Sequence, residues 1–173
     1  NALNESAEKT QWAYFMEMGT GKTKVTIDNL SYLSLKGLVN AALIIAPKSV
    51  YSIWETEIQT HMPNEVKHQI YKWNIDKPKD YEKLNRFEYL RIFLINVEAL
   101  STKRGVDACK DYLIKNKLNF VVLDESTTIK NKSAKRTKNI LGLRPLSHKR
   151  RILTGSPITK SPLDLFTQCQ FLS

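Results

Sequence analysis

The chain has 173 residues, 42% of them hydrophobic and 25% charged, which suffices for one domain with a buried core but not for two of ordinary size. Its net charge of +10 favours a polyanion as partner, and no apolar run approaches the length of a membrane span. Two distant cysteines, three scattered histidines and a polar N-terminus indicate a reduced intracellular protein, cytoplasmic or nuclear, with no zinc site and no membrane partner.

The first informative stretch is an apolar run at 13–18 that leads into Gly19-Thr20-Gly21-Lys22-Thr23. This pattern predicts a strand, a phosphate-binding loop and the start of a helix. Glycines let backbone N–H groups turn toward an anion, the lysine reaches the outer phosphates, and the threonine hydroxyl can hold Mg²⁺. Met16 stands where the full motif has glycine, so an ordinary glycine turn before a helix is the alternative.

Helix-like and strand-like segments alternate along the rest of the chain. Apolar residues at helical spacing predict helices at 23–35, 49–61, 80–87, 106–113, 134–141 and from 161 onward. Apolar runs predict strands at 41–46, 68–71, 91–96, 119–123 and 151–153. The alternation predicts an α/β fold, a three-layer parallel β-sheet with helices on both faces, in a single domain spanning 1–173.

The sequence predicts capping residues at the N-termini of two helices. Ser49 is expected to cap the helix at 49–61, which would bury a stripe of Val50, Ile53, Trp54 and Ile58. Trp54 is therefore expected in the core. A capping box at 161–164 is expected to begin the last helix.

Polar residues follow two more strands, at the edge where a parallel sheet collects its ligands. Asp124-Glu125 comes directly after the apolar strand at 119–123, and Thr154-Gly155-Ser156 follows the strand at 151–153. A carboxylate in the first position can hold Mg²⁺, and the adjoining glutamate can orient a water molecule for attack on a γ-phosphate. An Asp-Glu pair alone could equally be a solvated strand end, but together with the Lys-Thr loop it favours a nucleotide site.

The excess positive charge lies in one segment. Residues 126–163 hold ten Lys and Arg and no Asp or Glu, whereas the rest of the chain holds 17 residues of each sign. A solvated basic face is the ordinary explanation of such a segment. So complete a segregation instead favours contact with the phosphates of a polyanion.

Four segments together resemble motifs I, Ia, II and III of superfamily 2 helicase-like ATPases, and are most similar to the Swi/Snf-type DNA translocases. They are Gly19-Thr20-Gly21-Lys22-Thr23, the strand 43–47 with Trp54-Glu55, the run 124–131 (Asp-Glu-Ser-Thr-Thr-Ile-Lys-Asn) and the run 153–158 (Leu-Thr-Gly-Ser-Pro-Ile). The resemblance covers nearly the whole chain. It implies a P-loop NTPase, the first of the two RecA-like lobes of such a motor, with the second lobe absent from this chain.

The resemblance implies roles for the site residues, with ATP and Mg²⁺ as cofactors. Residues Met18, Gly19, Thr20, Gly21, Lys22 and Thr23 would bind the nucleotide, and Thr23 and Asp124 the metal. Lys22, Asp124 and Glu125 would be catalytic, while Thr154, Gly155 and Ser156 would couple phosphate occupancy to closure of the two lobes.

The expected macromolecular partners are DNA, in double-stranded form, and a second RecA-like lobe normally in the same polypeptide. Candidate contacts to DNA phosphates are Lys48, Ser49, Asn96, Lys130 and Lys132. A strand-separating DNA or RNA helicase lobe is one alternative. A nucleotide-dependent DNA-binding switch that does not hydrolyse ATP is the other.

The chain departs from the family pattern in three places. Thr127 stands where the family usually has histidine, Met16 replaces aspartate or alanine, and Lys160 replaces asparagine. The element that reads adenine would lie before Asn1, and the arginines that stabilise the transition state would come from the second lobe. The chain by itself is therefore expected to bind nucleotide weakly and to turn over little ATP.

Overall fold

The computed structural model describes residues 1–17, 19–156, 162 and 164–173. The described strands are β1 (Gln11–Phe15), β2 (Ala41–Ala46), β3 (His68–Lys72), β4 (Leu90–Asn96), β5 (Asn119–Asp124) and β6 (Lys149–Thr154). The described α-helices are α1 (Ala2–Ser6), α2 (Lys22–Leu35), α3 (Tyr51–His61), α4 (Lys103–Lys115), α5 (Lys135–Leu141) and α6 (Asp164–Leu172). Four short 3-10 helices are described at Asp80–Arg86, Val97–Ser101, Ser126–Ile129 and Arg144–Leu146.

The six strands form one sheet in the order β1-β6-β5-β2-β4-β3, and every pair of neighbours is parallel. Successive side chains of a strand point to opposite faces, so β2 contributes Leu43 and Ile45 to one buried cluster and Ile44 to the other. Helices α2 and α3 cover the Ile44 face, while α4, α5 and α6 cover the opposite face. The predicted three-layer parallel architecture is confirmed.

Two predicted details of α3 are wrong. The residue before the helix is Val50, and no side chain caps the first turn, so Ser49 does not serve as the predicted cap. Ile53 is 54% exposed, whereas Trp54 and Ile58 are buried as expected. Helix α3 buries only a narrow stripe of apolar side chains, because α2 covers part of the same face of the sheet.

The basic segment is less available for a partner than its charge suggested. Strand β6 is longer than predicted, and its three charged residues Lys149, Arg150 and Arg151 are buried. Their charged ends donate to backbone carbonyls, as does Arg144, whose guanidinium binds the carbonyl of Gln170. Part of the segregated charge therefore stabilises the fold.

Helix α1, which no apolar pattern predicted, is held by Arg151. The guanidinium donates to the carbonyls of Ser6, Lys9 and Thr10, and to the Asn29 side chain in α2. It also lies 5.0 Å from the centre of the Phe120 ring. One buried side chain thus joins the N-terminal segment, α2 and the sheet.

The predicted capping box at 161–164 lies largely outside the described residues, but the helix that it predicted is present as α6. In the described part of the chain, no helix has the length and hydrophobicity to span a membrane.

Candidate functional site

Three polar loops meet at the carboxyl edge of the sheet because β6 lies between β1 and β5. The strand register pairs Phe15 with Thr154 and Leu153 with Asp124. The loop that follows β1, the Asp-Glu pair that ends β5 and the residues that follow β6 are therefore neighbours. The sequence predicted that these clusters share one edge, and the strand order places them side by side.

The loop between β1 and α2 has the backbone that its glycines predict. Gly19 has φ 77° and Gly21 has φ 83°, and no atom lies within 4 Å of where a Cβ would be at either position. Only glycine adopts this left-handed backbone without strain. A side chain would have room at both positions, so the backbone conformation and not crowding is what requires glycine. Met18, also a predicted binding residue, lies outside the described residues.

The Lys22 ammonium points back into the loop. Its Nζ donates to the carbonyl of Met16 at 2.9 Å and to that of Glu17 at 3.1 Å. Thr20 also bonds to the Glu17 carbonyl, through its hydroxyl at 2.6 Å. The positive charge therefore lies against the residues that directly precede the glycine turn.

Thr23 is the second residue of α2 and is partly buried. The first turn of this 14-residue helix presents backbone N–H groups at its positive end, directly after Gly21. The loop, Lys22 and the helix terminus thus provide positive charge at a single place.

Asp124 is 9% exposed, and each of its carboxylate oxygens accepts one hydrogen bond. Trp54 Nε1 donates to Oδ2 at 2.8 Å, and the Glu125 N–H donates to Oδ1 at 2.8 Å. Burial raises the pKa of this carboxyl, while the two hydrogen bonds and the charge of Lys22 oppose the rise. The carboxylate has a set orientation and keeps a free lone pair on each oxygen, as a metal ligand requires.

Glu125 has φ 49° and is the one described residue other than glycine with a positive φ. Such a backbone costs energy for a residue with a side chain and is concentrated at functional sites. Burial raises the pKa of the Glu125 carboxyl, and the neighbouring Asp124 charge raises it further. The next residue, Ser126, is buried and hydrogen-bonded to Gln168 of α6.

Thr154 connects the loop after β1 with the loop after β6. Its carbonyl accepts from the Met16 N–H at 3.3 Å, and its hydroxyl accepts from the Ser156 N–H at 3.1 Å. Thr154 is fully buried, Gly155 is partly exposed and Ser156 is exposed. Thr154 therefore links the position of the loop after β1 to that of the loop after β6.

Trp54 is a site residue that the sequence reasoning missed. The expectation that it belongs to the core is right, since it is 2% exposed, but its indole N–H reaches the carboxylate at the centre of the site. A buried tryptophan needs an acceptor for that N–H. The need for an acceptor could have indicated a polar partner for Trp54. The sequence could not identify that partner, because Asp124 lies 70 positions further along the chain.

Lys48 and Asn96 lie together, in a groove of about 610 Å³ at the carboxyl ends of β2, β3 and β4. The groove also includes Lys72, which the sequence reasoning did not select. Asn96 caps the 3-10 helix that follows it, since its Oδ1 accepts from the Ala99 N–H at 2.8 Å. Ser49 is exposed beside Lys48.

Lys130 and Lys132 lie apart from that groove. Lys130 lines a second cleft, of about 340 Å³, together with the basic side chains of Lys135 and Arg136. Lys132 lies over the Phe166 ring of α6, with its Nζ 3.5 Å from the ring centre. The five candidate contacts therefore fall into two regions of the surface.

Replacing Glu125 by glutamine is expected to stabilise the chain at neutral pH. A raised pKa means that the folded state binds a proton more readily than the unfolded state, so Glu125 lowers stability as the pH rises above the ordinary value of 4.5 and through the folded-state pKa. Glu125→Gln removes that cost. Urea denaturation should show a more stable variant at pH 7 and equal stabilities at pH values below 4.5.

The matched control for this prediction is Glu65→Gln, because Glu65 is an exposed loop residue. It should leave stability unchanged at both pH values. A Glu125→Gln variant that is less stable than the original chain at pH 7 would contradict the assigned cause, which is burial beside Asp124.

The family described as the SNF2-related domain matches residues 14–173. Among curated proteins, the chain is 30% identical over 162 residues to the chromatin-remodeling ATPase INO80 of Mycosarcoma maydis, covering 90% of this chain and 8% of that protein. It is 28% identical over 157 residues to the helicase SWR1 of the same organism, again covering 90% of this chain and 8% of that protein. The chain thus spans less than a tenth of the length of these two relatives.

A solved structure has the same fold. The Sulfolobus solfataricus SWI2/SNF2 ATPase core in complex with dsDNA superimposes with a TM-score of 0.75 at 25% sequence identity. The match covers 99% of this chain and 33% of that chain. The predicted resemblance, made on four short motifs, is confirmed along nearly the whole sequence.

Proposed function

The chain belongs to the SNF2-related domain family, and from this premise we propose that it is the N-terminal ATP-binding lobe of a double-stranded-DNA translocase. The single observation that carries the proposal is the convergence of Lys22, Asp124-Glu125 and Thr154 at one edge of the sheet. A lysine beside an anion-binding loop and a buried carboxylate are the two halves of a site for a metal-bound triphosphate.

The residues present fit ATP and Mg²⁺. Gly19 and Gly21 have the positive φ that a backbone turn around an anion needs, and the Lys22 ammonium lies against the carbonyl of Met16 in the same loop. The carboxylate oxygens of Asp124, which ends β5 beside the loop that precedes Thr23, are hard ligands of the kind that Mg²⁺ prefers. When bound, Mg²⁺ would neutralise charge that develops on the phosphate oxygens.

Each residue then has a definite task. The backbone N–H groups of residues 19–22 and the Lys22 ammonium hold the phosphates, while Thr23 and Asp124 hold the metal. Glu125 positions and deprotonates the attacking water, and burial beside Asp124 raises its pKa in the direction that makes it a stronger base. The residues after β6 couple phosphate occupancy of the site to closure of a second lobe; they are Thr154, Gly155 and Ser156.

This lobe carries only part of the catalytic machinery in the proposal. A second RecA-like lobe would supply the arginines that stabilise the transition state, and its closure would exclude water from the site. Nucleotide binding is therefore assigned to this chain and rapid hydrolysis to the two lobes together.

Duplex DNA is proposed to lie across the carboxyl edge beside the nucleotide site. The groove with Lys48 and Asn96 follows β2, β3 and β4, and the cleft with Lys130 follows β5, so both open beside that edge. The matched solved structure is a complex with dsDNA, which supports duplex DNA as the partner. An intracellular location with access to DNA follows from the proposal.

ATPase measurements on the intact protein test the proposed function. Stimulation by duplex DNA well above stimulation by single strands is expected of a translocase. Stronger stimulation by single-stranded DNA or RNA would instead favour a strand-separating helicase. Nucleotide-dependent DNA binding without hydrolysis would favour the switch.

Reversing the charge of Lys130 and Lys132 together is expected to weaken DNA binding by the intact protein in a salt-dependent way. Each lysine that neutralises a phosphate contributes about one unit to the slope of log affinity against log salt concentration. The double change to glutamate should therefore lower the magnitude of the slope by about two. Fluorescence anisotropy over a salt series measures it.

The control is the same double reversal at Lys110 and Lys117, which are exposed near the opposite edge of the sheet. It adds the same negative charge to the protein but should leave the slope unchanged. Equal effects of the two pairs would assign Lys130 and Lys132 to a solvated face.

A further inference from the structure

Helix α3 brings an indole N–H to the carboxylate of Asp124. Trp54 belongs to the buried cluster that also includes Ile58 of the same helix and Val122 of β5. With 2% of its surface exposed, its side chain is fixed by packing on the sheet. Its Nε1 lies 2.8 Å from Asp124 Oδ2, a distance typical of a strong hydrogen bond.

This hydrogen bond determines how the carboxylate is turned. Oδ1 is held by the N–H of Glu125, but that donor belongs to the next residue and moves with the strand end. The indole is the donor that comes from another layer of the fold. With both donors in place, the carboxylate cannot rotate about its terminal bond without losing a hydrogen bond in a buried position, where such a loss is costly.

We propose that Trp54 is a positioning residue that orients Asp124 for the metal ion, and this inference rests on the proposed function. The indole N–H also offsets part of the free-energy cost of burying the negative charge of Asp124. It does not compete with the carboxylate for the metal, because it can only donate a hydrogen bond. A cationic donor at this position would bind the carboxylate more strongly and would oppose the metal. Donors that hold metal ligands in this way typically contribute 10- to 100-fold to metal affinity.

The test compares Trp54→Phe with Trp73→Phe in this chain. Both changes remove an indole from a buried position, since Trp73 is 6% exposed and packs on Phe93. Binding of a fluorescent ATP analogue is measured over a range of Mg²⁺ concentrations, together with binding in EDTA. Trp54→Phe should raise the half-saturating Mg²⁺ concentration about 10- to 100-fold and leave binding in EDTA unchanged.

Trp73→Phe should change neither value. A folded Trp54→Phe variant with the Mg²⁺ dependence of the original chain would overturn the inference. So would an equal loss of binding with and without Mg²⁺, because that result indicates a general loosening of the loop.

A second measurement leaves Trp54 in place, in case its replacement prevents folding. In Trp12→Phe/Trp73→Phe, Trp54 is the one remaining tryptophan, and its emission should change when nucleotide and Mg²⁺ are added together but not with nucleotide in EDTA. Emission of Trp54 that does not respond to the metal would overturn the inference.

Different results would contradict the proposed function and the role of Trp54. If the original chain binds nucleotide with no dependence on Mg²⁺, the proposed function is wrong and this inference falls with it. If binding depends on Mg²⁺ and is lost in Lys22→Ala, but is unaffected in Trp54→Phe, the proposed function stands and Trp54 is a core residue alone.

Discussion

Replacing Lys22 by alanine is expected to weaken ATP binding by this chain about 10- to 100-fold. A hydrogen bond from a charged donor contributes about 1.5–3 kcal/mol, and each 1.4 kcal/mol is about tenfold in affinity. The ammonium lies within 3.1 Å of two carbonyls of the loop, so its removal takes a charged donor from the proposed phosphate site. Titration calorimetry with ATP and Mg²⁺ measures the loss.

Lys24→Ala is the matched control. Lys24 lies on the same helix, two positions further on, and forms an exposed ion pair with Asp28. Its removal should leave ATP affinity unchanged. If the Lys22→Ala variant and the original chain bind ATP with equal affinity, the loop is not part of the nucleotide site.

Turnover by the same samples tests the assignment of hydrolysis to two lobes. The original chain is expected to hydrolyse ATP slowly even at saturation, because the proposed transition-state arginines belong to a second lobe. Rapid hydrolysis by this chain that is abolished in Lys22→Ala would show that no second lobe is needed.

The largest effect on stability is expected at Arg151. Arg151→Ala should lower the free energy of unfolding by about 3–5 kcal/mol, because it leaves a cavity and removes the donor from several buried acceptors. Those acceptors include the carbonyls of Ser6 and Lys9 and the side chain of Asn29. The loss should first be visible as detachment of α1, since its attachment depends on these contacts.

Urea denaturation and hydrogen exchange measure the two parts of this expectation. Arg104→Ala is the control, because Arg104 is an exposed arginine on α4. It should change stability by less than about 0.5 kcal/mol. A comparably small change in Arg151→Ala would mean that the hydrogen bonds of Arg151 contribute nothing to stability. Unchanged hydrogen exchange in α1 would mean that Arg151 does not hold that helix.

Much of the site could be predicted from the sequence because its signals are local. Gly19 and Gly21 flank a turn that needs positive φ, Lys22 follows within the same loop, and Asp124 directly ends an apolar strand. The alternation of apolar runs with helical patterns likewise predicts a parallel sheet, since parallel neighbours need a crossover between them.

Other features could not be predicted, because their partners are distant in the chain. Nothing near Arg151 indicates that its guanidinium contacts residues 6–10, and the basic segment was accordingly expected at the surface, as a solvated face or a contact to a polyanion. Helix α1 has five residues, and Arg151 is one of several distant side chains that attach it to the sheet and α2. A local pattern cannot report such an interaction.

By itself the sequence determined most of the secondary structure elements, the layer architecture and the glycine turn between β1 and α2, because spacing, turn chemistry and burial of apolar side chains act over a few residues. Only the tertiary structure decided the strand order β1-β6-β5-β2-β4-β3, and with it which loops become neighbours. It also decided that Trp54 reaches Asp124. Both depend on how helices pack across the sheet, where the free energy comes from contacts between segments far apart in the chain.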